Sequence, residues 1–424
     1  MRIFFDTVGC RLNQSEIESM AGRFREAGHE VVASAAEADI MVINTCTVTA
    51  AADADSRKKV RQAARVGVKR IIATGCYATV RPEEIARLPG VDQVVTNSRK
   101  ASLAEDVFNL DVVRTDKLPA RNPLPGQRKR TRAFIKAQDG CDNHCTFCVT
   151  RIARGSSVSQ PLEEIFADME SALAGGVKEI VLTGVNLGSW GKDLHPVKSL
   201  ADLMKELVVR FSPPRLRLSS LESWDVGDDL WEAMVLPGVC RHLHLPLQSG
   251  SDEIMRKMGR KTDTRMYART VEKIREIIPE IAITTDVIVA FPGESDLLFN
   301  ESLAFIRSMA FAGGHVFRYS PRPGTPAASM PNQSDGKTAR KRNQQVRELL
   351  SEQAIDYQGG FIGKELKILW EKTKSSAQGW RLCGFSDNYI RVSSKSDCNL
   401  YNEISRVLVR GLGNDSLVGD LIEL

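Results

Sequence analysis

The chain has 424 residues, 42% of them hydrophobic and 26% charged, with nine cysteines and a formal net charge of +5. This is ordinary globular usage, which excludes disorder, collagen and coiled coil, and at one domain per ~150 residues it points to two or three domains. No apolar run approaches the ~20 residues that cross a bilayer, and the start, MRIFFDTVGC, lacks the long apolar stretch of a secretory leader. The expectation is a cytoplasmic protein with no membrane association. The mild positive charge permits a polyanionic partner without demanding one.

In chain order, strand-like runs at 2–8, 39–45 and 69–74 alternate with helical segments at 15–27 and 53–65. This predicts a small doubly wound α/β domain over residues 1–116. The Pro-rich segment 117–127 breaks both periods and reads as a linker. The basic clump that follows it, 128–130, reads as a solvated face.

From 128 to 358, strands are expected near 133–138, 178–183, 215–220, 242–247, 282–291 and 315–320, separated by helices such as 162–174, 200–210 and 264–278. Such alternation predicts a parallel sheet curled into a partial (β/α)6 barrel, with its active residues at the carboxyl ends of the strands. A basic helix around 335–357 ends this region. From 359 to 424 only short β segments remain, punctuated by Gly, Asn and Asp, which suits a small β-barrel of the oligonucleotide-binding type.

The cysteines carry the chemistry. A cytosolic chain large enough to bury a core uses clustered cysteines for metal or catalysis more often than for disulfides. Cys10, Cys46 and Cys76 each follow a predicted strand by one or two residues, so all three fall on the carboxyl edge of one sheet, where doubly wound folds bind ligands. Gly9 and Gly75 would let the backbone approach a bulky ligand. A three-thiolate metal or Fe–S site is the reading. Cys141, Cys145 and Cys148 form a tighter set, with a spacing that suits thiolates around one corner-open iron–sulfur cube. Zinc is the alternative, but no second pair closes a zinc site, and His144 reads as a plain loop histidine. Cys240, Cys383 and Cys398 match no pattern and read as incidental thiols.

Cys141-Asp-Asn-His-Cys145-Thr-Phe147-Cys148 resembles the Cys-x3-Cys-x-aromatic-Cys signature of radical S-adenosylmethionine (SAM) enzymes. Thr7-x-Gly9-Cys10-x-x-Asn13-x-x-Glu16, Asn44-Thr-Cys46 and Gly75-Cys76-Tyr77 resemble the N-terminal domain of the methylthiotransferases, and the C-terminal segment is similar to a TRAM RNA-binding module. The resemblance covers essentially the whole chain. Cys46-Thr-Val-Thr and Gly75-Cys76-Tyr77-Ala78 look most like the branch acting on N6-threonylcarbamoyladenosine at position 37 of tRNA, next to the anticodon. Branches acting on isopentenyladenosine or on a ribosomal protein are alternatives, and a non-catalytic Fe–S or zinc RNA-binding protein is the rival of another class.

The resemblance implies two [4Fe–4S] clusters. Cys141, Cys145 and Cys148 would hold the one that binds SAM, and Cys10, Cys46 and Cys76 the auxiliary one. Phe147 would pack near the adenine, and Gly184, Asn186, Glu222, Gln248 and Asp286, at or near strand ends, would contact SAM or substrate. The implied product is the 2-methylthio nucleoside. The implied partners are a tRNA anticodon stem-loop and a low-potential electron donor, with the enzyme a monomer.

Overall fold

The computed structural model describes residues 1–103, 131–377 and 379–423. The expected linker at 117–127, the basic clump at 128–130 and the domain limit at 116 lie outside the described residues. The first region is a five-stranded parallel sheet of order β2-β1-β3-β4-β5: β1 (Arg2–Thr7), β2 (Glu30–Val31), β3 (Ile40–Thr45), β4 (Arg70–Gly75) and β5 (Val91–Val95). The central strand β3, IMVINT, is buried along its whole length, as a parallel strand covered on both faces must be. The helix Arg11–Glu26 covers one face through Ile17, Met20 and Phe24, and the helix Ala50–Arg65 covers the other through Val60 and Ala63. The sheet is therefore doubly wound, as expected. The sequence reading did not name β2 or β5. β2 has two residues, and β5, VDQVV, lies half-buried at the sheet edge, so neither shows a strong apolar run.

The second region begins with β6 (Arg132–Lys136) and a two-residue hairpin pair, β7 (Gln138–Asp139) with β8 (Val158–Ser159). Then come β9 (Glu179–Thr183), β10 (Leu216–Leu218), β11 (His242–His244), β12 (Ala282–Val289) and β13 (Gly313–Arg318). β10-β9-β6 and β11-β12-β13 form two parallel sheets, joined through the parallel bridge Ser220↔His244. Helices Leu162–Ala174, Leu200–Phe211, Thr264–Ile277 and Asp296–Met309 pack outside, and one apolar core runs through all of them. The Ser199–Asp202 capping box and the Asp263 N-cap start two of these helices where the sequence placed them.

The helix Gly336–Gly359 packs along β13 and leads into β14 (Glu365–Ser376), β15 (Gly379–Ser386), β16 (Arg391–Ser396), β17 (Ile404–Leu412) and β18 (Leu417–Glu423). These close into a barrel of order β14-β15-β16-β18-β17 around the fully buried Trp370, whose indole N–H donates to Ser405 Oγ at 3.1 Å. Among the described residues, no helix is long and apolar enough to cross a membrane.

Candidate active site

Cys10, Cys46 and Cys76 follow β1, β3 and β4, which are neighbours in the sheet, so the topology brings all three to one edge. Close packing holds their loops together. A Cβ on Gly9 would lie 2.7 Å from Cys46 Sγ, and one on Gly75 would lie 2.3 Å from the Thr45 carbonyl oxygen. Gly75 also has φ +97°, which side chains rarely adopt. Burial pushes the Cys46 thiol up to about 12, and the charges of Cys10 and Cys76 push the same way, so the three sulfurs share one neighbourhood.

The second triplet lies in the loop between β7 and the short helix Thr150–Arg154. Backbone N–H groups of Asn143 and Thr150 donate to Cys141 Sγ and Cys148 Sγ, both at 3.4 Å. Burial raises the Cys141 thiol and pushes that of Cys145 up to about 11; Arg260, 3.9 Å from Cys145 Sγ, opposes the latter shift. Thiols must give up their protons to bind a metal, so metal binding at thiols raised by burial is favoured as pH rises. Among the described residues no three His, Cys, Asp or Glu side chains converge as tightly as one metal ion requires. Both sets fit a polynuclear iron–sulfur group by donor type and mutual charge. His144 is exposed and faces the Arg151 guanidinium at 2.8 Å, the setting of a loop histidine.

Beside Cys148 lies a cavity of about 330 Å3, within the roughly 300–1,000 Å3 typical of small-ligand sites. Phe147, Asn186, Glu222, Gln248 and Asp286, all named from sequence, line it together with Cys148. So do Val48 and Thr49 from the loop after Cys46, so the N-terminal domain contributes to the wall on which Cys148 lies. Asn186 Oδ1, Asp286 Oδ1 and the Tyr319 hydroxyl are buried on its wall with no hydrogen-bond partner among the described residues, an unfavourable state that a bound polar ligand relieves. The other Asp286 oxygen lies 3.3 Å from His244 Nε2. Gln248 takes φ +67°, held by backbone bonds of 2.8 Å to Asp286 and Ile288; such strain concentrates at ligand sites.

Two sequence-named residues have other occupations. Gly184 is not on the cavity wall: a Cβ there would meet Gln138 Oε1 at 2.9 Å, so its smallness serves packing against Gln138. Both Glu222 oxygens are held by Arg260, at 3.0 and 2.6 Å, and Arg260 itself lies over the Trp224 ring. Sequence reasoning missed Arg260, and no local signal marks it, since an arginine in a loop looks the same whether solvated or buried. Arg322, whose position after the last barrel strand does mark it as a candidate contact, lines the cavity and joins the loop after β13 to Asp53 of the N-terminal domain at 2.7 Å.

Comparison with known proteins agrees with this architecture. The chain matches the Radical SAM superfamily over residues 135–306 and the Uncharacterized protein family UPF0004 over residues 2–96. Among solved structures, the radical SAM methyltransferase TsrM from Kitasatospora setae superposes with a TM-score of 0.59 at 16% identity, covering 77% of this chain and 75% of that one, a likeness of fold. Fold and cysteine loop thus define a radical SAM enzyme, a class that carries SAM and a [4Fe–4S] cluster. The chain is 36% identical to the threonylcarbamoyladenosine tRNA methylthiotransferase MtaB of Thermotoga maritima, over 99% of this chain and 97% of that one. It is 35% identical to the same-named enzyme of Bacillus subtilis, over 97% and 94%. It is also 35% identical to a tRNA-2-methylthio-N(6)-dimethylallyladenosine synthase of Cereibacter sphaeroides, over 99% and 98%. The chain belongs to the radical SAM tRNA methylthiotransferase family.

Proposed function

We propose that the protein inserts a methylthio group at C2 of N6-threonylcarbamoyladenosine at position 37 of tRNA, beside the anticodon. The observation that carries this reading is that one cavity is lined by Cys148 of the second triplet and by Val48 and Thr49, just after Cys46 of the first, in a chain similar end to end to enzymes named for that nucleoside. Cys141, Cys145 and Cys148 hold the cluster that binds SAM, and Cys10, Cys46 and Cys76 hold a second [4Fe–4S] cluster. Bound there, SAM and its cluster supply a radical able to take hydrogen from an inert aryl C–H bond, which polar side chains cannot attack.

The chain's own residues position and shield. Phe147, edge-on to Phe291 at 6.4 Å, gives an apolar wall for a purine ring. Asn186 Oδ1 and Asp286 Oδ1 accept hydrogen bonds from hydroxyl or amino donors of the bound pair, and Gln248 presents a further polar group. Arg260 holds Glu222 and places positive charge beside Cys145. Residues 1–116 form the methylthiotransferase domain and 128–358 the radical SAM domain, with 117–127 between them. Residues 359–424 form a TRAM module that grips the anticodon stem-loop. The enzyme works as a cytoplasmic monomer and draws electrons from a low-potential donor.

The test is mass spectrometry of tRNA nucleosides from a deletion strain. Loss of the 2-methylthio-threonylcarbamoyl species is expected. Loss of the methylthio-isopentenyl species instead would assign the chain to the dimethylallyl branch, to which it is almost equally similar. About eight irons per chain fits two clusters; zinc alone would fit a non-catalytic binding protein. Cys141→Ala should abolish SAM cleavage, whereas Cys46→Ala should keep cleavage and lose sulfur insertion.

A further inference from the structure

The short helix Thr150–Arg154, which starts two residues after Cys148, packs against the short helix Cys76–Val80 that begins at the third N-terminal cysteine. Its frame is rigid: the Gly155 carbonyl, at its end, accepts the Cys141 N–H at 3.1 Å, closing the cysteine loop on itself. From that frame the Arg154 guanidinium, 2% exposed, crosses into the N-terminal domain. Nη2 donates to Asn13 Oδ1 at 2.7 Å, while Nη1 donates to Glu16 Oε1 at 2.8 Å and to Asp139 Oδ1 at 2.9 Å. Asn13 Nδ2 donates in turn to the carbonyls of Val8 and Thr45, at 2.8 and 3.1 Å, just upstream of Cys10 and Cys46. One residue before Arg154, the Ala153 carbonyl accepts from Asn97 Nδ2 at 2.7 Å, and that amide lies 3.7 Å from Cys76 Sγ. Asp139 stands two residues before Cys141.

Burying this much charge is a poor way merely to glue two domains, because an apolar contact of similar size serves as well without the desolvation cost. A planar guanidinium bonded on both forks instead fixes direction and distance. We propose that Arg154, held between Glu16, Asp139 and Asn13, is a positioning residue that sets the separation of the two cysteine triplets, so that its loss uncouples SAM cleavage from sulfur insertion. The proposal rests on the functional reading above.

Three enzymes are compared: the native chain, Arg154→Met, and Arg154→Lys as the conservative variant. Each is reconstituted anaerobically and scored for iron, for 5′-deoxyadenosine, and for methylthio product on threonylcarbamoyl-modified tRNA. Arg154→Met should keep its iron and its deoxyadenosine formation, while product per deoxyadenosine falls ~10- to 100-fold, the scale of a misplacement of about 1 Å. Arg154→Lys should recover part of that ratio. In the metal-free chain, hydrogen exchange should rise in Arg154→Met at the loops carrying Cys10, Cys46 and Cys76 and at the helix Thr150–Arg154. An unchanged product ratio, or exchange unchanged at those loops, overturns the proposal. If Arg154→Met does not fold, Arg154→Lys decides: a ratio equal to the native one overturns it, and a lowered ratio with iron retained supports it. A native enzyme that makes deoxyadenosine but no methylthio product would instead overturn the functional reading, so the two failures are distinguishable.

Discussion

At Gly75 the chain has no room for a side chain, since a Cβ would sit 2.3 Å from Thr45 O and 2.5 Å from both Asn44 Oδ1 and Thr45 N. Gly75→Ala also strains the backbone at φ +97°, a cost of about 1–3 kcal/mol. The expected result is a lower melting temperature together with reduced iron, read by calorimetry and iron assay. The thiols outside the two triplets make a contrasting case. Cys240 is buried, and burial pushes its thiol up to about 12, whereas Cys398 is exposed. In the native protein an alkylating reagent at mildly basic pH should label Cys398 readily and Cys240 only after unfolding, as peptide mass spectrometry would show. Equal labelling would contradict the packing around β11. Some of this residue-scale detail was legible. Gly9-Cys10 and Gly75-Cys76 signalled close backbone approach, and the cavity-lining roles of Phe147, Asn186, Gln248 and Asp286 followed from their motifs or from their places at strand ends. Gly184 packs against Gln138 and is off the cavity wall, a placing that its position beside a strand end does not reveal.

Among the elements, β9 and β10 carry a charge knot that no motif announces. Glu179 is fully buried, with Arg217 at 2.7 Å, Arg132 at 2.8 Å and Arg215 at 3.5 Å. All three arginines reach on into the C-terminal barrel: Arg132 pairs with Glu371 at 2.6 Å, Arg215 donates to the carbonyls of Lys367 and Phe385 at 2.6 and 2.9 Å, and Arg217 to that of Asp387 at 2.9 Å. Tyr389 caps the knot, its ring beneath Arg132 and Arg217 and beside His242, and its hydroxyl accepts from Arg11 of the N-terminal domain at 3.5 Å. Glu179→Gln strands buried positive charge, and breaking such a pair costs about 3–5 kcal/mol. The variant should melt well below the native protein in thermal denaturation. A shift of no more than a degree would mean that the arginines are satisfied by the carbonyls alone.

Across the whole molecule, carboxylates cluster where domains meet. Salt-bridged partners hold Glu16, Asp139, Glu179 and Asp387 below the usual carboxylate range, against the desolvation that would raise them. A group depressed in the folded state contributes stability that is fully present above its unfolded pKa, near 4, and that is lost as pH falls through the folded value. Desolvation raises Glu294, which is buried, and Glu371, which is partly buried, and for them protonation goes the other way. With the depressed groups bridging the domains, stability should be level from about pH 6 to 8 and fall below about pH 4, with the domain contacts failing first. Denaturant melts monitored across pH check this, and stability that rises on acidification would refute it. The sequence by itself determined the three-part α/β–α/β–β order and the placing of Cys10, Cys46 and Cys76 at strand ends, and its motifs carried the resemblance to the family. Order and placing follow from local periodicity and spacing, which neighbouring residues encode. Only the tertiary structure decided that residues after Cys46 share a cavity with Cys148, that Arg260 occupies Glu222, and that Arg154 and Tyr389 tie the domains together. Those contacts join residues from 38 to more than three hundred positions apart, and a buried cation is written with the same letter as a solvated one.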